Sequence, residues 1–264
     1  MEFLQAAIIG FLQGIFEWLP VSSEGVVTLA MTNIFGESAL ASVNVAIWLH
    51  LGTLFAALLY FRDDFKQIVL GLPDYFTRSK YQDSEERKLI SFLIVTTLIT
   101  GIIGGVIYLY GLQEIAQYPK LFTGLMGLAL LGTGLLRFYS GGERSSKTLG
   151  HKDSILTGIM QSLSVLPGVS RSGSTVFALF YRKFEAKEAF RLSFLLSVPA
   201  VLIANIGIQL FSEIQISTGL VFAALVSFLV GYFTIDLILK IAERTEVAYL
   251  CFALAILTFL SLLI

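Results

Sequence analysis

Glu17, Glu24 and Arg171 sit beside runs of residues otherwise apolar enough for hydrocarbon. Ionisable groups at membrane depth are costly, and their default reading is functional. The spacing Gln13-x-x-x-Glu17 places an amide and a carboxylate one turn apart on one helix face, and Pro20, Ser22, Ser23, Glu24 and Gly25 follow. Glu17 is a hard oxygen ligand and Gln13 offers a carbonyl oxygen, which together suit a divalent cation shared with substrate phosphates. Ser22 and Ser23 are hydroxyls that could attack phosphorus. The second constellation is Pro167-Gly-Val-Ser-Arg-Ser-Gly-Ser-Thr175. A Ser/Gly run that opens a helix presents unpaired backbone N–H groups, hydroxyl donors and the positive end of the helix dipole, a combination that holds anions. Arg171 adds a permanent cation whose fork fits phosphate oxygens. If the two segments meet, the outcome is a membrane-embedded phosphate-handling site.

What must position them is a bundle in a bilayer. The 264 residues are 56% hydrophobic and 14% charged, too little polar surface for a soluble globule, and the mean hydropathy is +0.81. An open sheet, a disordered chain and a disulfide-stapled fold are excluded; Cys251 stands alone in the sequence. Met1-Glu2-Phe3 lacks the basic start of a cleavable leader, so Glu17 is expected in the mature chain. Six apolar runs are long enough to cross: 43–61, 89–112, 120–138, 189–207, 217–240 and 247–264. Two others, 3–32 and 155–181, break at Pro20 and Pro167 and resume in second halves too short to cross. They read as re-entrant helix-loop-helix units whose irregular backbone lines a polar pocket.

The two interrupted stretches also match each other. Gly10-Phe-Leu-Gln13 aligns with Gly158-Ile-Met-Gln161 at an offset of 148, and Leu19-Pro20 with Leu166-Pro167 at 147. Three crossings follow each, so 1–138 and 155–264 read as two repeats within a single membrane domain. If residue 62 is cytoplasmic, parity puts 62–88, 137–154, 182–191 and 240–246 on that side, and these hold 16 of the 18 Lys/Arg. The repeats are then inverted, their breaks meet near the midplane, and both termini lie outside. The competing reading, a kinked single crossing over 3–32, would put the N-terminus inside. The expected fold is thus an all-α polytopic membrane protein with six transmembrane helices and two re-entrant units in an inverted-topology repeat.

At this point a resemblance becomes specific. Gln13-Gly-Ile-Phe-Glu17-Trp-Leu-Pro-Val-Ser-Ser-Glu-Gly25 resembles the (E/Q)xxxE and LPxSSxG elements of the undecaprenyl-diphosphate phosphatase family, the bacitracin-resistance proteins. Pro167 to Thr175 is similar to its PGxSRSxxT signature at every specified position, and Leu49–Thr53, Tyr60–Arg62 and Ser193–Pro199 fall where the family has similar stretches. The likeness implies a phosphatase dependent on a divalent cation (Mg2+ or Ca2+) that converts a polyprenyl diphosphate to the monophosphate and recycles the lipid carrier for envelope glycans. It implies a plasma-membrane location, a site open to the outer face, lipid substrate and bilayer lipids as partners, and no nucleic acid. Oligomeric state, a homodimer included, is left open. Carried over, Gln13 and Glu17 take the metal-linked positions and Ser23 that of the proposed nucleophile. Gly168, Ser170, Arg171, Ser172 and Thr175 take the phosphate-binding signature, with Ser22 beside them.

One departure stands out: the family's histidine after SSxG is Val26 here, and valine transfers no proton. Glu24, two residues away, is expected to take over as acid or base, and water remains the alternative nucleophile to Ser23. A transporter of the lipid phosphate is the rival function, because broken helices in inverted repeats also build transporters. Other residues read more blandly. His50 is expected as a hydrogen-bonding packing residue, Asp236 and Lys240 as a surface ion pair, and Gly101, Gly104 and Gly105 as close helix contacts. Gln161, counterpart of Gln13, could help polarise the site. The segments 62–88 and Gly141–Lys152 are expected to be solvated loops.

Overall fold

The computed structural model describes residues 2–264 except Val21, 78–83, 108–109, 111–123, 125–126, 129–130, 133, 136–142, 166–168, 212–215, 243–245, 261 and 263–264. Among the described residues the fold is helical without a strand. The helices are α1 (Phe3–Phe16), α2 (Ser23–Asn33), α3 (Ala39–Tyr60), α4 (Arg62–Phe76), α5 (Glu85–Val106), α6 (His151–Ser162), α7 (Arg171–Tyr181), α8 (Ala186–Phe211), α9 (Thr218–Ala242) and α10 (Glu246–Leu260). Serines set the starts. Ser22, Ser38, Ser84 and Ser170 each accept the backbone N–H three residues on, at 3.1–3.3 Å, satisfying a donor that the first helical turn leaves free.

Among the described residues four helices are long and apolar enough to cross a membrane: Ala41–Tyr60, Glu85–Val106, Ala186–Ile206 and Thr218–Lys240. Of the other two expected crossings, 120–138 lies mostly outside the described residues. The run 247–264 is represented by α10, 15 described residues, while 243–245, 261 and 263–264 beside it lie outside the described residues. The two interrupted stretches are helix pairs, α1 with α2 and α6 with α7, each broken where proline stands in the sequence.

The segment 62–88 is corrected. Instead of a solvated loop it contains α4, because Phe65, Ile68, Leu72 and Phe76 recur at helical spacing and Asp63 and Asp64 favour its first turn. Phe65 and Ile68 pack on the core while Val69, Leu70 and Phe76 stay exposed. Of the three glycines expected in close contacts, Gly104 meets Val165, whereas Gly101 and Gly105 meet none of the described residues. Asp236 and Lys240 do form an ion pair, at 2.5 Å, which Tyr60 joins through its hydroxyl at 3.1 Å.

α9 is the axis of the packing, with α1 and α3 laid against it. The approach depends on missing side chains. A Cβ on Gly10 would lie 2.4 Å from the Ala223 carbonyl oxygen, and one on Gly52 would lie 2.3 Å from that of Ala224. On the other side α6 packs against α5, where a Cβ on Gly158 would lie 2.8 Å from Ile99 Cβ. Polar bonds tie the same interface, from Thr96 to the Ser154 carbonyl at 3.2 Å and from Thr100 to that of Gly158 at 3.3 Å.

A second ionic knot pins the start of α6. Asp153 is 1% exposed and accepts from Arg144 at 3.0 and 2.8 Å, from Arg182 at 2.5 Å and from the Gly150 backbone at 2.9 Å. Burial alone would raise the pKa of this carboxyl, but hydrogen bonds from Arg144 and Arg182 outweigh it and hold it below the ordinary Asp value. Arg144 also donates to the Arg182 carbonyl at 2.8 Å, so α6 and the end of α7 share one clasp. Removing one member of a buried charge cluster typically costs about 3–5 kcal/mol. Asp153→Ala should therefore lower the unfolding temperature of the detergent-solubilised protein at neutral pH. Because the folded pKa is lowered, the contribution is complete above the unfolded value and disappears as pH falls through the folded one. The gap between wild type and variant should close in acid; a gap that is unchanged by pH would disprove this origin.

Candidate active site

Glu17 ends α1, with its backbone N–H still bonded to the Gln13 carbonyl at 3.0 Å. The next residue fixes the turn: Trp18 is fully buried, donates from Nε1 to the Gly231 carbonyl at 3.0 Å and lies 4.9 Å from the Phe194 ring. Leu19 then turns its carbonyl toward the second break. Ser172 Oγ donates to it at 2.5 Å and Ser170 Oγ at 3.5 Å, so the two interrupted segments touch through backbone and hydroxyl.

At this junction the Glu17 side chain, 3% exposed, gathers groups from four helices. Its Oε1 accepts from Arg171 Nη2 at 2.8 Å. Its Oε2 accepts from Gln13 Nε2 and Ser23 Oγ, each at 2.8 Å, and has His50 Nε2 at 3.1 Å. Arg171 is itself oriented by donation from Nη1 to the Ser193 carbonyl on α8 at 3.1 Å. A carboxylate removed from water needs such company, since unpaired burial of a charge is prohibitive. A helix C-terminus is moreover the wrong end for a negative charge.

The structure thus brings Gln13, Glu17, Ser23 and Arg171 together, the convergence expected if the two interrupted segments meet. Ser22 and Ser170 cap α2 and α7. Ser172 and Thr175 are buried and already bonded: Ser172 to Leu19, Thr175 to the Arg171 carbonyl at 2.9 Å and to Ser193 Oγ at 2.6 Å. Gly168 lies outside the described residues. Glu24 stands half-buried in the first turn of α2 with no hydrogen bond among the described residues. Gln161 is bonded to Thr100 on α5 at 3.1 Å rather than to the Glu17 group. His50 is the residue that sequence reasoning underrated. A single histidine in an apolar run gives no spacing to read, and its partner is 33 positions away.

Does this set suit a cation? Gln13 must turn its N–H toward the Glu17 acceptor, which leaves its Oε1 buried with no hydrogen-bond partner among the described residues. An orphaned carbonyl oxygen beside a carboxylate fits a hard cation. No three His, Cys, Asp or Glu gather among the described residues, so such an ion would need oxygens from its substrate to complete its shell.

Comparison with known proteins shows the family. The family model for Bacitracin resistance protein BacA matches residues 6–260. A protein of Methanococcoides burtonii named undecaprenyl-diphosphatase is 41% identical over 98% of this chain and 97% of its own. A Haloarcula marismortui protein of the same name is 37% identical, covering 94% and 93%. Undecaprenyl-diphosphatase 1 of Shouchella clausii is 34% identical, covering 98% and 96%. A match over nearly the full length, with relatives well above 30% identity, places the chain in the Bacitracin resistance protein BacA family.

Proposed function

We propose that this chain hydrolyses a polyprenyl diphosphate of the undecaprenyl type to the monophosphate and inorganic phosphate, within the bilayer, and so returns a lipid carrier to envelope glycan synthesis. The observation that carries the reading is the meeting of a nucleophile, a carboxylate and a guanidinium on one buried group, with Ser23 and Arg171 each 2.8 Å from Glu17. The names of the relatives support the substrate.

In this mechanism the terminal phosphate displaces part of the Arg171–Glu17 contact and is held by the guanidinium and the opening turn of α7. Ser170, Ser172 and Thr175 shape that turn, Gly168 precedes it, and Ser22 caps the facing helix. Ser23 Oγ already donates to Glu17 Oε2, which is the direction its proton must leave. As the Ser23 oxygen–phosphorus bond forms, the bridging phosphorus–oxygen bond breaks and prenyl monophosphate departs. Water then attacks the phosphoserine and gives its proton to Glu24 as the Ser23 oxygen–phosphorus bond breaks; Glu17 returns its proton to the Ser23 oxygen, inorganic phosphate is released, and Glu24 sheds its proton to solvent. Arg171 stabilises charge that develops on the equatorial oxygens. Glu17 and Gln13 Oε1 would hold a divalent cation, Mg2+ or Ca2+, jointly with diphosphate oxygens, supplying further neutralisation.

The membrane arrangement belongs to the same reading: six crossings, two re-entrant pairs, and halves 1–138 and 155–264 as inverted repeats, with the site open to the outer face of the plasma membrane. Reciprocal packing supports it. The leading helix of the first pair rests on α9 of the second half, and that of the second pair on α5 of the first half. Their matched glycines, Gly10 and Gly158, make the contact. All the site groups come from one chain, so a homodimer is not needed to complete it.

Phosphate release from undecaprenyl diphosphate by purified protein tests the proposal. Glu17→Ala and Arg171→Ala should each lower kcat by roughly 100-fold or more, and Ser23→Ala should do the same. Substantial turnover by Ser23→Ala would give the attack to water. Glu24→Gln should lose roughly 100-fold; full turnover would remove Glu24 from the mechanism. A chelator should stop release and added Mg2+ or Ca2+ restore it, while unchanged turnover in chelator would exclude the cation.

A further inference from the structure

Beyond the groups already given roles, an imidazole stands against the site carboxylate. The chain has two histidines, and one of them, His50 on α3, reaches Glu17 Oε2, the same oxygen that accepts from Ser23. Val26 beside Gly25 carries no hydrogen-bonding side chain. The imidazole at the Ser23–Glu17 pair therefore arrives from a different helix.

Its placement is built rather than incidental. His50 Nδ1 is bonded to the Ala46 carbonyl at 2.7 Å, one turn earlier, which fixes the ring plane and aims Nε2 at Glu17. Thr53 donates to the His50 carbonyl at 3.1 Å, and Ser227 of α9 donates to that of Leu49 at 3.1 Å. Gly52, where a Cβ would meet the Ala224 carbonyl, locks the register of α3 against α9. The ring is thus keyed to two long helices. The other donors on Oε2, Gln13 and Ser23, come from the broken pair α1–α2 that carries the site itself.

We propose that His50 is a positioning residue for phosphoryl transfer: by bonding Glu17 Oε2 from α3 it fixes the carboxylate so that this oxygen lines up with the Ser23 hydroxyl. The inference rests on the phosphatase reading above. It concerns alignment, so it acts on the chemical step more than on substrate capture.

Two amides separate the two bonds of the ring. Asn places its nitrogen where His carries Nδ1 and can keep the Ala46 contact, but it falls short of Glu17. Gln reaches to the position of Nε2 and can keep the Glu17 contact. With wild type and both variants purified in detergent, kcat and KM are measured on a prenyl diphosphate. Binding is read separately, without metal, as the rise in unfolding temperature that the same lipid causes in chelator. His50→Asn should lose roughly 10- to 100-fold in kcat with KM within about 3-fold and the binding shift retained. His50→Gln should stay within about 3-fold of wild type in both constants. A His50→Asn enzyme with normal kcat overturns the proposal, as does a His50→Gln enzyme as impaired as His50→Asn, which would make the Ala46 bond and helix packing the reason for the residue. A wild-type protein that releases no phosphate sinks the phosphatase reading itself, a distinguishable result.

Discussion

One buried carboxylate organises this molecule. Glu17 lies at the end of a helix, out of water, where neither the dipole nor the surroundings favour its charge. Its two oxygens are matched by Arg171 on one side and by Gln13, Ser23 and His50 on the other. These donors lie on α7, α1, α2 and α3, so satisfying one charge requires two broken segments and a long helix to converge. The same convergence is what phosphate chemistry needs: a hydroxyl facing a base, and a guanidinium at hand when an anion arrives.

The frame that permits this is made of contacts too close for side chains. Gly10 and Gly52 let α1 and α3 lie against α9, and Gly158 lets α6 lie against α5. Trp18 then carries the frame into the site, since its indole bonds the Gly231 carbonyl on α9 while the next carbonyl, that of Leu19, accepts hydroxyls from the other break. Breaks in two helices would be expensive in hydrocarbon if their backbone groups were unpaired. Here the serine hydroxyls after the second break pair with the Leu19 carbonyl of the first.

The clasp of Asp153, Arg144 and Arg182 follows the same logic with a different outcome. It is a buried carboxylate matched by two guanidinium groups, yet among the described residues no hydroxyl bonds it; Thr148 at its edge bonds Arg144. Charge burial alone does not make a site. What sets Glu17 apart is the serine and the orphaned amide oxygen beside it.

Much of this was legible in the residues. Apolar run lengths, two proline breaks, the Gln13/Glu17 spacing and the Ser-Arg-Ser signature named the class and most of the groups that the fold brings to Glu17, because each depends on local chemistry or on a period in the chain. The helix α4 was hidden by its balanced charges, although its apolar residues keep helical spacing. His50 was hidden for a deeper reason: a lone side chain has no period, and its meaning comes from a partner on another helix. Likewise the serines of the second signature could be listed as phosphate groups from sequence, whereas only the folded chain shows Ser172 and Thr175 bonded to backbone and to Ser193. Sequence by itself determined which groups were costly to bury. Tertiary structure decided which of them meet, because hydrogen bonds act over about 3 Å and only packing brings residues 17, 50 and 171 within that distance.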